Sequence, residues 1–141
     1  MKKPLMATIL IGIALAAASP MFAHHGSRVS YDLDRMVTVT GTVSEYQWQN
    51  PHVYVYVDAK DENGKVVTYA MECNSVNTLL HKGWTRDALK KGDQVTVSAY
   101  GAKDPRPLSD GSIHANARSI KMADGHTVSA GTSADDPAPK Q

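Results

Sequence analysis

Apolar and polar residues alternate in five segments of this chain, a pattern typical of β-strands that bury one face. In the first and longest segment the apolar positions change phase after Val43, which predicts a β-bulge near Ser44 and Glu45. The dipeptide Asn63-Gly64 lies between the second and third segments and predicts a two-residue hairpin turn. The five segments contain residues 37–43, 53–57, 67–71, 95–99 and 113–122.

A helical spacing interrupts the alternation between the third and fourth segments. Val76, Leu79 and Leu80 stand at positions i, i+3 and i+4, which is the spacing of the apolar face of a helix. Asn74 or Ser75 precedes them, and both residue types are favourable helix N-caps. The spacing therefore predicts one short helix at this point.

The predicted order of elements is strand, strand, strand, helix, strand, strand. Together with the long bent first strand, this order is typical of the five-stranded oligonucleotide/oligosaccharide-binding (OB) barrel. We therefore predict an all-β domain with one small inserted helix and an OB-like β-barrel. A β-sandwich is the alternative, but it needs about seven strands and would not explain the helix. The barrel interior is expected to hold Val39, Val43, Val55, Val57, Val95 and Val97.

The first 23 residues have the layout of a secretory signal peptide. Lys2 and Lys3 precede an uncharged apolar run over residues 5–18, and Ala23 provides a small residue at the expected cleavage site. The run is shorter than the roughly 20 residues that span a bilayer, although an uncleaved membrane anchor is the alternative interpretation. Cleavage after Ala23 predicts a periplasmic or secreted protein that begins at His24 and has no membrane span.

Three further units are expected after this leader. Residues 24–35 form a histidine-containing amino-terminal segment, and residues 36–128 form the barrel domain. Residues 129–141 are rich in Ser, Ala, Asp and Pro and have no apolar period, so we expect a disordered tail.

Charge and cysteine content exclude several classes of protein. The 15 Lys and Arg residues nearly balance the 14 Asp and Glu residues, so the chain lacks the strong basic excess of a nucleic-acid-binding domain. A single cysteine excludes an internal disulfide and a metal cluster made of cysteines alone. We find no motif that pairs a nucleophile with a base, no phosphate-binding loop and no dinucleotide fingerprint. The sequence therefore favours a protein that is not an enzyme.

Several motifs resemble those of a known family. The most specific are His24-His25-Gly26-Ser27 and Trp48-Gln49-Asn50-Pro51-His52, accompanied by a Gly-Thr-Val and a Gly-Trp-Thr pattern. They resemble a family of short exported bacterial proteins catalogued as a domain of unknown function. The resemblance implies export and a small β-rich domain, and it implies no particular activity.

The histidines are the main chemical signal. Cleavage after Ala23 would free the α-amino group of His24, and that amine and the His24 ring can chelate one Cu(II) ion together. A second imidazole, from His25 or His52, would complete a nitrogen-rich set of the kind that favours copper, and His114 is a possible further ligand. The alternative is that the terminal histidine pair binds stray metal without function.

Aromatic residues offer a second candidate site. Tyr54 and Tyr56 alternate with core valines and are expected to face outwards, and Trp48 lies nearby in the sequence. On an OB barrel such residues can stack against a small molecule or a glycan. A third possibility is an accessory subunit of a periplasmic assembly, in which the barrel binds a protein partner. The sequence thus predicts an exported ligand-binding protein, with copper as the first candidate ligand.

Overall fold

Six strands and one short helix follow one another along residues 30–131, the part of the chain that the computed structural model describes. Five of the strands match the predicted segments, and the helix lies where the i, i+3, i+4 spacing predicts it. The elements are β1 (Tyr31–Gln47), β2 (Tyr54–Lys60), β3 (Val66–Glu72), α1 (Val76–His81), β4 (Gln94–Ala102), β5 (Ile113–Met122) and β6 (Thr127–Ser129).

The strand pairings close the sheet into a barrel. Antiparallel pairs join the strands in the order β3, β2, β1, β4, β5, and a parallel pairing between β3 and β5 completes the ring. β6 adds an antiparallel partner to β5. A closed barrel of five strands with a helix between β3 and β4 confirms the predicted OB-like fold.

The long first strand, β1, pairs with two neighbouring strands of the barrel. Its amino-terminal part pairs with β4 and its carboxy-terminal part pairs with β2. The register with β2 shifts between Val43 and Glu45, which confirms the predicted bulge. Gly41 allows the close approach of β1 and β2, because a Cβ atom there would lie 2.2 Å from the carbonyl oxygen of Asp58.

The barrel interior contains the six valines predicted from the alternation, all of them at most 6% exposed. The helix closes one side of this core with Leu79, which is fully buried, and begins at its N-cap Ser75. Trp84 follows the helix, is 2% exposed, and donates its indole N–H to the carbonyl of Ser129 at 2.9 Å.

Both predicted domain boundaries fall inside ordered structure. β1 begins at Tyr31, which is 2% exposed, so the barrel includes residues that we expected to precede it. At the other end, Ser129 belongs to β6 and Ala130 is buried, with its backbone N–H donating to the carbonyl of Arg118 at 2.9 Å. Apolar alternation does not reveal either extension, because each depends on contacts with distant strands. The predicted leader and most of the predicted tail lie outside the described residues.

Candidate functional site

A cluster of polar side chains lies on the outer face of β2, β3 and β5. Tyr54 pairs with Glu72 across β2 and β3, and the pairing of β3 with β5 brings His114 beside them. Each of these residues alternates with residues of the core, such as Val55, Met71 and Ala115, and therefore points away from it.

Glu72 is the centre of this cluster, and its side chain is only 15% exposed. Its Oε1 atom lies 3.0 Å from Nδ1 of His52. Its Oε2 atom accepts hydrogen bonds from the hydroxyls of Tyr31 and Tyr54, the latter at 3.1 Å, and from Nε2 of His114 at 3.1 Å. We call these five residues the Glu72 cluster. Four partners on one carboxylate satisfy a group that would be costly to bury alone.

The contacts keep this carboxylate ionised. Burial acts to raise the pKa of Glu72, but hydrogen bonds from His114 and Tyr31 and the charges of His52 and His114 outweigh it and hold the pKa below its usual range. Burial, followed by the charge of Glu72, raises the pKa of Tyr31 and of Tyr54. The two phenols therefore remain neutral donors to a charged acceptor at neutral pH.

The first residues that the structure describes lie beside this cluster. Tyr31 pairs with Ala102 of β4, and the carbonyl of Ser30 accepts a hydrogen bond from the backbone N–H of Lys103 at 3.0 Å. A groove of about 430 Å³ lies between Ser30, His114 and the loop that joins β4 to β5. Ser30 and Tyr31 thus lie beside the other members of the Glu72 cluster.

Two of the predicted metal ligands meet at this point. His52 and His114 contact the two different oxygens of Glu72, although they are far apart in the sequence. His24 and His25, the other predicted ligands, lie outside the described residues. Within residues 30–131, no group of three or more His, Cys, Asp and Glu side chains is arranged so that it could hold a metal ion.

The predicted aromatic face is only partly assembled. The rings of Tyr54 and Tyr56 lie 6.3 Å apart on the outer face, and Tyr54 stacks against His114 at 6.0 Å. Trp48 packs against the core instead, beside the ring of Tyr46 at 5.9 Å. A groove of about 510 Å³ adjoins Tyr56 and is lined mainly by polar residues, among them Glu45, Gln47, Thr68, Asp110 and Ser112.

Sequence reasoning missed Glu72 and Tyr31 as members of the site. Alternation could have placed Glu72 on the same face as Tyr54, since it stands between Met71 and Cys73, which both lie in the core. Nothing in the sequence connects Tyr31 to that face, because their contact spans 41 positions and depends on closure of the barrel.

The fold and the site define this protein as a small OB-like barrel domain with a buried carboxylate on its outer face. Residues 13–109 match a family of unknown function, DUF6152, and the chain belongs to that family. This match confirms the family resemblance inferred from the sequence. Neither the family nor the fold indicates a catalytic activity.

No curated protein shows significant similarity to this chain. Among solved structures, the mitochondrial single-stranded DNA-binding protein Rim1 from S. cerevisiae matches with 16% identity and a TM-score of 0.48. The match covers 63% of this chain and 94% of Rim1. The strand pairings define the barrel fold. In the described residues, no helix is long and apolar enough to cross a membrane.

Proposed function

We propose that this protein is an exported, non-catalytic domain that binds a copper ion through His24, His25 and His52. The observation that carries this proposal is the contact of His52 with Glu72, whose other oxygen binds Tyr31 at the entry of the amino-terminal segment. One buried carboxylate thus links a candidate ligand to the segment that carries the other two.

The first support is the environment of His52. Its Nδ1 atom lies 3.0 Å from Oε1 of Glu72, and a neutral ring that donates Nδ1–H to this carboxylate would carry its lone pair on Nε2. Histidines that bind metals usually donate their other ring N–H to a carboxylate or carbonyl, which fixes the tautomer and makes the ligand nitrogen more basic. We assign Nε2 of His52 to the metal. The His52 side chain is 34% exposed and therefore accessible to an ion.

The second support is the reach of the amino-terminal segment. His24 stands six positions before Ser30, and an extended chain covers about 20 Å over that distance. Tyr31 and His52 bind the same carboxylate, so this length allows His24 and His25 to reach His52.

The choice of copper follows from the donors. An α-amino group and two or three imidazoles form a nitrogen-rich set, and such sets bind Cu(II) more tightly than other divalent first-row metals. The amine is available only if the leader is removed after Ala23, so export and metal binding are parts of one proposal.

The test is the Cu(II) affinity of the exported, processed chain. We expect one tightly bound Cu(II) per chain and an affinity at least about tenfold lower in His52→Ala, since a metal ligand is lost. His81→Ala is the matched control, because His81 is an exposed histidine on α1 whose Nδ1 contacts the carbonyl of Asn77. An extra residue before His24 should also weaken binding, since it converts the amine into an amide. Equal affinity of His52→Ala and the wild type would overturn the shared site.

A second candidate function is binding of a small molecule or glycan at Tyr54 and Tyr56. The polar groove of about 510 Å³ beside Tyr56 favours it, because ligand sites combine an aromatic surface with a few polar groups. Titration of oligosaccharides into the wild type and Tyr56→Ala tests this function. Binding that is lost in Tyr56→Ala but retained in His52→Ala would support it over the copper proposal.

A further inference from the structure

We propose that the groove beside Tyr56 binds a ligand that carries a protonated amine, as an oligosaccharide of amino sugars does. Glu45 and Asp110 bind the ammonium group, and the ring of Tyr56 packs against it. This inference rests on the second candidate function, binding of a small molecule or glycan, and adds to it the chemical class of the ligand. All three residues lie in the part of the chain that the structure describes.

The groove has the size of a ligand site and brings an aromatic ring together with two carboxylates. Its volume of about 510 Å³ is within the range of roughly 300–1,000 Å³ that is typical of small-molecule sites. Glu45 of β1 and Tyr56 of β2 are direct partners in the antiparallel pairing of these strands, so their side chains stand next to each other. Asp110 belongs to the loop between β4 and β5, which forms another wall of the groove.

Asp110 is held in place and ionised by Ser112. Its Oδ1 atom accepts hydrogen bonds from the backbone N–H of Ser112 at 2.9 Å and from the Ser112 hydroxyl at 2.6 Å. Ser112 is 2% exposed, so this anchor belongs to the body of the domain. The two hydrogen bonds, that of the hydroxyl first, hold the pKa of Asp110 below its usual range. Within residues 30–131 no other residue donates to Oδ2, which leaves this oxygen available to a ligand.

Glu45 also has one engaged oxygen and one available oxygen. Its Oε1 atom accepts a hydrogen bond from Nε2 of Gln47 at 2.7 Å, and no described residue donates to Oε2. Neither Glu45 nor Asp110 has a basic partner, since every ion pair within residues 30–131 involves other acidic residues. Two carboxylates that no cation neutralises favour a positively charged ligand, because an ammonium group can donate to both of them.

Tyr56 is exposed to the charge of both carboxylates. Burial, followed by the charges of Asp110 and Glu45, raises the pKa of Tyr56. The negative potential that disfavours a phenolate at this position favours a cation there. The face of a tyrosine ring also attracts a cation that lies within about 6 Å of its centre. The ring and the two carboxylates therefore favour the same kind of ligand.

Lys65 provides a test of the sign of the charge. It is an exposed residue that also lines the groove, and it forms no ion pair with Glu45 or Asp110. Its ammonium group repels a cationic ligand and would attract an anionic one. Removal of this charge should therefore strengthen the binding of an amine, whereas it would weaken the binding of a ligand that is held through a carboxylate.

The experiment compares two tetrasaccharides with the same backbone, one of glucosamine and one of N-acetylglucosamine, whose amides are neutral. Calorimetric titration at about pH 5.5 keeps the amines protonated and both carboxylates ionised, and circular dichroism checks the fold. We expect the wild type to bind the glucosamine tetramer at least about tenfold more tightly than the neutral one, since hydrogen bonds to charged groups are the stronger ones.

The variants assign this preference to single residues. Glu45→Gln and Asp110→Asn should each lower the affinity for the glucosamine tetramer about tenfold, and Asp110→Asn retains an oxygen for Ser112. Lys65→Gln should raise that affinity about twofold, as expected for an exposed charge. Asp87→Asn is the matched control with wild-type affinity, because Asp87 is an exposed acidic residue outside the groove.

Two results would overturn the inference while leaving glycan binding intact. In one, the two tetramers bind the wild type equally and both lose affinity in Tyr56→Ala. In the other, Glu45→Gln and Asp110→Asn bind the glucosamine tetramer as the wild type does, or Lys65→Gln binds it more weakly. A wild type that binds neither tetramer would also overturn the inference, and failure of every other oligosaccharide to bind would refute the second candidate function as well.

Discussion

At the scale of single residues, the charge of Glu72 is set by two opposing effects. Burial favours the neutral acid, whereas His114, Tyr31 and His52 favour the carboxylate, and the second group prevails. A buried carboxylate with partners on both oxygens can fix the tautomer of a neighbouring histidine, which a protonated acid could not do equally well. The ionisation of Glu72 is therefore part of the function that we propose.

This ionisation predicts a pH dependence of stability in the metal-free protein. Because folding lowers the pKa of Glu72, its stabilising contribution is complete above the unfolded-state value of about 4.3 and is lost as the pH falls through the lower folded-state value. We expect the midpoint of thermal unfolding, measured with a chelator present, to fall between about pH 5 and pH 3 in the wild type. Glu72→Gln should be less stable at pH 7 and should show a shallower fall over that window. Parallel curves for the two proteins would contradict this assignment.

The sequence predicted only part of this site. His52 and His114 could be named as candidates because imidazole is distinctive in its chemistry. Glu72 is one of 14 acidic residues, and its partners come from β1, β2, β5 and the residues that precede β2. Alternation assigns each residue to a face of its own strand, but it does not say which strands become neighbours when a sheet closes.

At the scale of elements, local sequence patterns predicted most of the strands and the helix, but they did not predict the loop between β2 and β3. Asn63-Gly64 predicted a two-residue turn, and both common types of that turn require a positive φ at the first position, Asn63. Only Gly64 has a positive φ, and the backbone N–H of Asp61 pairs with the carbonyl of Lys65, so the predicted turn is wrong and the loop has three residues. Oδ1 of Asp61 accepts from the backbone N–H groups of Asn63 and Lys65, both at 2.9 Å, and these side-chain contacts stabilise the longer loop.

The alternation of buried and exposed residues predicts that two valines contribute differently to stability. Val55 on β2 is fully buried in the barrel, whereas Val66 at the start of β3 is 57% exposed. Val55→Asp should cost more than about 3 kcal/mol of the free energy of unfolding, because it buries an unpaired charge. Val66→Asp, the matched control, should stay within about 0.5 kcal/mol of the wild type. Chemical denaturation followed by circular dichroism measures both, and equal stability of the two variants would show that the strand register is wrong.

At the scale of the whole molecule, closure of the barrel turns separate local features into one site. The residues of the Glu72 cluster lie between positions 31 and 114 of the sequence. The parallel pairing of β3 with β5 and the antiparallel pairing of β1 with β4 bring them together. Ser30, the first residue that the structure describes, lines the groove of about 430 Å³ beside His114.

We expect export to yield a chain that begins at His24. The charged Lys2 and Lys3, the apolar run and the small residue Ala23 are the features that a signal peptidase recognises. Intact-mass analysis of the exported protein should show loss of residues 1–23. Ala23→Leu should retain the leader because it removes the small residue before the cut, whereas Met21→Ala should be processed at least as well as the wild type. A terminus at any other residue would leave the nitrogen of His24 in an amide bond or remove His24, and a chelate of amine and imidazole could not form there.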